Sequence, residues 1–445
     1  MNKKLEGLRL RKLSIICVLV LTIFAITISS FDVEAAENNK NVSKNAGSLV
    51  IVGGALDSDN EAVYMKYLTL AQQYKGKSLK DVKIAIIPAA SAEPIGSANA
   101  YKEDFIQYGV PAENVYTAPI AVIDDPSTKD VDESTWKNNG NSAEIAKKIE
   151  EVDAIWFVGG DQLRHVKTLV TPDGKDTVVL NAIRKIYENG AVLGGSSAGA
   201  AIMSNPMIAN GTSVSALTEG VHLLKNFDQE VDNDQLFLTT GFGFFPHGIV
   251  DQHFLQRGRF GRLLVATQYN KTRYGFGIDE NSAMVYYGAD DSIEVVGESG
   301  LLIVDLQEAK TPKSKRFAMN NVTMHYLEKG DRFNVTAGTF ELNKKHETTK
   351  GIEYYSKNPM ATDIFGAQKL KKVLTEDLID NEAKKAEAIW FDMEDDKKGI
   401  GFKFTFRKTN KTEGFWGRID KVGSYAALNV QMDVEPITIK IQLDK

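Results

Sequence analysis

Residues 191–203 read AVLGGSSAGAAIM, with Gly195, Ser197 and Gly199 in a Gly-x-Ser-x-Gly spacing directly after a short apolar run. That spacing suits a nucleophilic serine. Small residues on both sides let the chain turn sharply between a strand and a helix, so that the hydroxyl projects from the strand's carboxyl end. The same residues also fit an ordinary glycine-rich turn in which Ser196 caps the helix. A serine hydroxyl is a weak nucleophile until a base takes its proton, so the choice turns on the histidines.

There are six histidines. His325 and His346 fall in a late, charge-rich stretch, His222 in an insertion-like segment, and His165 just after GGDQLR on an expected helix; these read as surface or core residues. His247 and His253 remain. His253 is preferred because Asp251, Gln252, Arg257, Arg259 and Arg262 crowd around it, a density of polar groups that a simple core helix does not require. A carboxylate must then hold the imidazole in the right tautomer. Asp279 and Glu280 stand side by side in GFGIDENSA, and adjacent residues of an extended segment point to opposite faces, so one of them can reach the histidine. Spacing alone does not choose, and both acids could instead cap the following turn. If residues 251–262 formed one regular helix, His253 and Arg257 would share a face while Arg259 and Arg262 shared another. Either the helix begins after His253, or the last two arginines act elsewhere, structural ion pairs included.

The elements that must position these groups are legible in outline. SLVIVGG, VKIAIIPAA, AIWFVGG and AVLGG are β-rich apolar runs closed by glycine, proline or small residues. Residues 62–74, 98–108, 142–152 and 177–189 between them carry apolar side chains at helical spacing. This alternation predicts an α/β fold, a parallel sheet covered by helices on both faces. Residues 124–141 read as a surface loop. Composition shifts near His346. An amphipathic helix over about residues 367–388, then the alternating strands IGFKFTF and ITIKIQL, predict a small C-terminal α+β domain over 346–445.

At the N-terminus a basic segment (Lys3, Lys4, Arg9, Arg11, Lys12) precedes an apolar run and a Val33-x-Ala35 site, which predicts a signal peptide over residues 1–35, cleavage near Ala35, and a secreted protein with no membrane contact afterwards. An uncleaved anchor is the alternative. Cys17, the one cysteine, lies inside that run, so the mature chain has no disulfide, cysteine nucleophile or zinc-thiolate site. The histidine spacing offers no metal motif either, and no cofactor is expected. A formal net charge of −6 removes the electrostatic case for a nucleic-acid partner.

VGGDQLRHV, GGSSAGAAIM, VDQHFLQRGRFGRLL and GFGIDENSA occur in an order and wording that resemble the cyanophycinase family of serine exopeptidases, peptidase family S51, relatives of the aspartyl dipeptidases. The resemblance covers about residues 48–305 and implies a class I glutamine amidotransferase-like fold for a peptidase domain over 46–345. It implies Ser197 as nucleophile, His253 as base and Glu280 as the orienting acid, with the N–H groups of Gly160 and Ala198 as the oxyanion hole. It also implies Gln162, Asp251, Gln252, Arg257, Arg259 and Arg262 as substrate contacts. The substrate it points to is cyanophycin, a polyaspartate bearing arginines in isopeptide linkage, released as β-Asp-Arg dipeptides; a homodimer is suggested on the same ground alone. A dipeptidase for short Asp-x peptides, or a non-catalytic binding protein on the same scaffold, are the competing expectations.

Overall fold

The computed structural model describes residues 47–227, 229, 232–357 and 360–442. The expected signal peptide lies outside them. No helix among the described residues is long and apolar enough to cross a membrane.

Five strands open the chain: β1 (Ser48–Val52), β2 (Ile84–Ile87), β3 (Val115–Thr117), β4 (Ala154–Phe157) and β5 (Val192–Ser196). They pair in parallel in the order β1-β5-β4-β2-β3. Their apolar runs are continuous rather than alternating because helices cover both faces, and β2, β4 and β5 are buried throughout. The covering helices are α1 (Glu61–Lys75), α2 (Pro94–Gln107), α3 (Ala143–Glu150), α4 (Gln162–Leu169) and α5 (Val178–Glu188). Each begins where a side chain can satisfy a free N–H or where proline needs none. Asn60, Ser142, Asp161 and Thr177 cap four of them, and Pro94 starts α2. The loop expected at 124–141 winds into a 3₁₀ turn over Glu133–Asn141, started by the Asp132 side chain.

After β5 come a one-turn helix α6 (Ala198–Ala201), β6 (Met207–Asn210), α7 (Ser213–Glu219), β7 (His222–Leu223), β8 (Phe237–Thr239), β9 (Gly248–Asp251), α8 (Phe260–Tyr269), β10 (Tyr274–Ile278), β11 (Ser282–Tyr287), β12 (Ser292–Gly297) and β13 (Leu301–Asp305). The chain continues as β14 (Met319–Leu327), β15 (Arg332–Asn334), β16 (Thr339–Glu341), β17 (Glu347–Thr348), α9 (Lys369–Leu374), β18 (Lys385–Met393), β19 (Lys398–Arg407), β20 (Glu413–Ile419) and β21 (Val422–Lys440). The parallel sheet is extended on the β1 side by antiparallel β11, β12, β15 and β16. A second sheet runs β17-β20-β21-β14-β13-β10-β9, with β19 on β21 and β18 on β19. The expected single parallel sheet is thus the first half of a larger, mixed arrangement.

Two expectations for the C-terminal hundred residues change. The helix expected over 367–388 is α9 and one π-helical turn to Ile379. Fully buried Asn381 ends it by donating Nδ2 to the Glu376 and Lys357 carbonyls, and residues 385–393 pair as β18 instead. Alanines at 386 and 388 fit either period, and only the cross-strand partners decide. Nor does a structural break fall at residue 346, since the described residues belong to one compact unit. β21 pairs with β14, and one apolar core joins Phe254, Leu255 and Leu263 to Phe402, Phe404, Phe406 and Met432.

Candidate active site

Ser197 sits where β5 ends and α6 begins, with φ +55° and ψ −107°. For a residue with a Cβ this is a strained conformation, kept only where surrounding contacts over-determine it. The contacts are there. Ser197 N–H donates to Val52 O at 3.1 Å, and its carbonyl accepts from Ala200 and Ala201 at 2.9 and 3.0 Å. The flanking glycines are required by packing: a Cβ on Gly195 would strike the Gly199 backbone, and one on Gly199 would strike the Phe157 carbonyl oxygen. The Gly-x-Ser-x-Gly spacing is therefore a tight strand-to-helix turn whose serine is only half-buried.

His253 arrives from β9, two residues beyond its end, with φ +46°. Its N–H donates to Gly53 O at 2.5 Å, which ties the imidazole's backbone to the carboxyl end of β1. Its ring lies so close to Gly54 that a Cβ there would overlap it. Helix α8 starts at Phe260, after His253, so residues 251–262 are not one helix and the geometric choice left by the sequence is resolved. Glu280 follows β10. Its Oε1 accepts from His253 Nδ1 at 2.5 Å, and Ser197 Oγ lies 2.9 Å from His253 Nε2. A carboxylate on Nδ1 fixes the proton there, leaving Nε2 as the acceptor for the serine hydroxyl. Three distant segments thus form one continuous relay from carboxylate to imidazole to hydroxyl.

Burial depresses the His253 pKa below the ordinary 6.5; the Glu280 hydrogen bond opposes this, and Arg257 and Arg259 lower it further. The imidazole is neutral at neutral pH and free to accept a proton. Asp279, the other acid of the pair, points away: it accepts from Leu255 N–H at 3.1 Å and Ser299 Oγ at 2.7 Å. Fully buried, its pKa is pushed up to about 6. Asp279 and Glu280 thus take the opposite faces expected, with different tasks. Asp279 pins the His253 loop and Glu280 holds the ring.

Gly159 and Gly160 form the loop facing Ser197; a Cβ on Gly159 would lie 3.3 Å from that of Ser197. Gly160 has φ +134° and no room for a Cβ against Ala90 O. Neither the Gly160 nor the Ala198 N–H donates in any loop, turn or cap hydrogen bond of the described residues. Buried His165 stands behind this loop, donating Nε2–H to Val158 O at 2.9 Å. Burial pushes its pKa down to about 4, so it stays neutral.

The six residues named as substrate contacts separate. Asp251 and Arg262 are spent on each other: Arg262 Nε and Nη2 donate to the two Asp251 oxygens at 2.8 and 2.5 Å, and Nη1 donates to Gly211 O at 2.7 Å. Both are almost wholly buried, which makes them a structural pair rather than groups open to a ligand, correcting that expectation. Arg259 donates Nη1 to the Gln252 carbonyl at 2.8 Å. Its pKa is pushed down to about 9, chiefly by burial and then by Arg262, so it still carries its charge at neutral pH. Arg257 is exposed. Gln162 donates Nε2 to the Ile208 and Ala209 carbonyls. Gln252 is buried, and its Oε1 has no hydrogen-bond partner among the described residues. Arg259 also lies 3.9 Å from Asp251 Oδ1, so within the set Arg257 is exposed and Gln252 keeps an oxygen without a partner among the described residues.

His247 is engaged elsewhere, with Asp291 Oδ1 at 2.8 Å and the Tyr286 hydroxyl at 3.3 Å. Sequence reasoning missed the supports. Gln256 Oε1 accepts the Glu280 N–H at 3.1 Å. Asn281 bonds to Asp57, Asn60 and Gly54 and so anchors the turn that carries Glu280. The C-terminal segment also reaches the site: Gln368 N–H donates to Leu255 O at 2.9 Å, and Phe365 O fills the space a Cβ on Gly258 would need. The glycine pair Gly53–Gly54 was the available signal for the Asn281 contact. For the last there was none.

Residues 136–294 match the model of peptidase family S51, a span that includes Ser197, His253 and Glu280. A protein named cyanophycinase from Geminocystis herdmanii is 32% identical over 312 residues, covering 68% of this chain and 97% of that protein. Another of that name from Trichormus variabilis is 32% identical over 57% of this chain and 75% of its own length. Among solved structures, a peptidase from an acI-B1 Actinobacterium superposes with a TM-score of 0.44 at 19% identity over 65% of this chain and 97% of that one. The family pattern, and a relative matched along nearly its whole length, establish that the chain belongs to peptidase family S51 and is a serine peptidase.

Proposed function

We propose that the chain hydrolyses cyanophycin from a chain end and releases β-Asp-Arg dipeptides through an acyl-enzyme on Ser197. The observation that carries this is the unbroken relay of 2.5 and 2.9 Å hydrogen bonds from Glu280 through His253 to Ser197. In the reaction His253 Nε2 takes the Ser197 proton as Oγ attacks the scissile carbonyl. The Gly160 and Ala198 N–H groups receive the oxyanion, and Glu280 stabilises the imidazolium. His253 then gives the proton to the departing amine. Water, deprotonated by the same imidazole, releases the acyl group and restores the serine.

The substrate reading draws on the relatives' name and on the charges around the relay. A β-Asp-Arg unit offers a carboxylate beside a guanidinium. Arg259 and Arg257 supply donors for the first, and the orphaned Gln252 Oε1 supplies an acceptor for the second. Export through the segment 1–35 belongs to the same proposal, because a polymer too large to enter a cell calls for a secreted hydrolase. The test is to incubate the protein and its Ser197→Ala variant with insoluble cyanophycin and weigh the soluble products by mass spectrometry. Release of Asp-Arg by the first and not the second is expected. Inertness of both toward the polymer, with cleavage of Asp-x dipeptides by the unaltered protein alone, would favour the dipeptidase reading.

A further inference from the structure

The C-terminal sheet carries a concavity that hydrolysis at Ser197 does not use. Pairing sets Glu347 opposite Trp416, and Trp416 opposite Tyr425, across β17, β20 and β21. Directly paired residues share a face, so the three side chains stand in one row. A loop closes the end of that row. Tyr354 N–H and the Tyr425 hydroxyl each donate to a different Asp380 carboxylate oxygen at 2.9 Å, and Tyr355 N–H donates to the Asp380 carbonyl at 2.9 Å. Together these residues line a cleft of about 450 Å³.

Two rings of this cleft, those of Tyr354 and Trp416, stand outside the core. Tyr354 is 82% exposed and Trp416 40%, and the Tyr354 ring meets Tyr355 edge to face at 5.0 Å between centroids. Rings held open to solvent in a concave row cost hydrophobic free energy that a ligand would recover. The charges that line the cleft are two carboxylates, Glu347 and Asp380, with no lysine or arginine among the described lining residues. Two lysines of neighbouring segments are engaged: Lys372 with Asp377 at 2.5 Å, and Lys408 with the Asn381 carbonyl at 2.5 Å and Glu353 at 3.7 Å. The field agrees, because Asp380 and Glu376 both act to raise the pKa of Tyr425 beyond its burial. Aromatic faces beside carboxylates select a flat cation. A guanidinium stacks on a ring while its edge donates to a carboxylate, which a compact ammonium cannot do at once.

We propose that this cleft is a second, non-catalytic site that binds guanidinium groups, holding arginine side chains along an arginine-bearing polymer while a chain end occupies the Ser197 site. The polymer as occupant rests on the function proposed above; the guanidinium chemistry does not. Repeated side chains on one polymer would engage both sites, which raises the local concentration of chain ends at Ser197.

Binding is measured on Ser197→Ala protein, which cannot consume the probe, with and without Tyr354→Ala and Trp416→Ala. Both rings are solvent-facing, so their removal leaves the core intact. The probes are insoluble cyanophycin by sedimentation, and an oligo-arginine amide, an oligo-aspartate and a soluble glucan by calorimetry. Loss of the rings should weaken cyanophycin and oligo-arginine binding about tenfold. Glu347→Gln, a surface change that alters charge and not shape, should weaken oligo-arginine binding by a smaller factor. With Ser197 restored, the two-ring variant should cleave a short soluble β-Asp-Arg oligomer at unchanged kcat/KM and the insoluble polymer more slowly. Equal binding with and without the rings, or ring-dependent binding of the glucan instead, overturns the proposal. Ring-dependent oligo-arginine binding in a protein that leaves cyanophycin intact would uphold the cleft and refute the substrate assignment at Ser197. Normal hydrolysis with ring-independent binding would do the reverse.

Discussion

At the scale of single residues, the site depends on keeping one imidazole neutral while cations stand nearby. Burial does most of this, and Arg257 and Arg259 add to it. His253 acts as a base only when unprotonated, so kcat/KM should fall as pH drops through a value below histidine's ordinary 6.5. Removing the exposed Arg257 charge takes away a repulsion felt by the imidazolium and raises the His253 pKa. The acid limb of Arg257→Gln should therefore lie at higher pH than that of the unaltered enzyme; a limb that stays put or moves to lower pH would refute the electrostatic account. Arg262 makes the contrasting case. Its guanidinium is buried against Asp251, so Arg262→Ala leaves the buried carboxylate only the longer 3.9 Å contact with Arg259 and should cost about 3 kcal/mol in denaturant unfolding. A substrate contact would instead raise KM at unchanged stability.

Elements explain why these residues meet. β1 and β5 end side by side in the first sheet, β9 of the second sheet delivers His253 to Gly53 at the end of β1, and the glycines at 53, 54, 159, 160, 195 and 199 let these loops approach closely. The serine turn was legible because its chemistry is local: Gly195 and Gly199 are needed by the backbone that Ser197 itself distorts. His253 was legible only by its crowd of polar neighbours, and part of that crowd, Asp251 and Arg262, turned out to be structural. An ion pair and a ligand contact call for the same residue types, and only burial separates them. The buttress of Phe365 and Gln368 on residues 255–258 was not legible at all, since it joins segments a hundred residues apart through backbone atoms that no side-chain pattern encodes. Its importance can be measured at Gly258, which has φ +56°. A Cβ there would drive the His253 loop off the Phe365 carbonyl, so Gly258→Ala should lower kcat/KM by about tenfold or more with the fold retained. Unchanged kinetics would mean that the buttress does not hold the loop.

For the whole molecule, composition and alternation showed the parallel half of the structure and the antiparallel strands of the C-terminus, but not that the latter join β9, β10, β13 and β14 of the preceding segment in one sheet. Sequence patterns report which face of a strand is buried, not against which partner, so a shift in composition near His346 reads as a boundary. The shared core of Phe254, Leu263, Phe402, Phe404 and Met432 argues otherwise. A chain ended at Lys345 would expose the β14 edge and strip half of that core. It should lose near-UV circular dichroism or precipitate. A soluble, folded and active truncated protein would show that the last hundred residues are an independent domain after all.

The central claim, that Ser197 is the nucleophile and is activated by His253, is tested most directly by trapping it. The protein is treated with an organofluorophosphonate, and its intact mass and peptide map are read. The account predicts a single adduct on the peptide bearing Ser197, with trapping slowed by several orders of magnitude in His253→Ala. An adduct at another residue, or full hydrolytic activity in protein that carries Ser197→Ala, would contradict it.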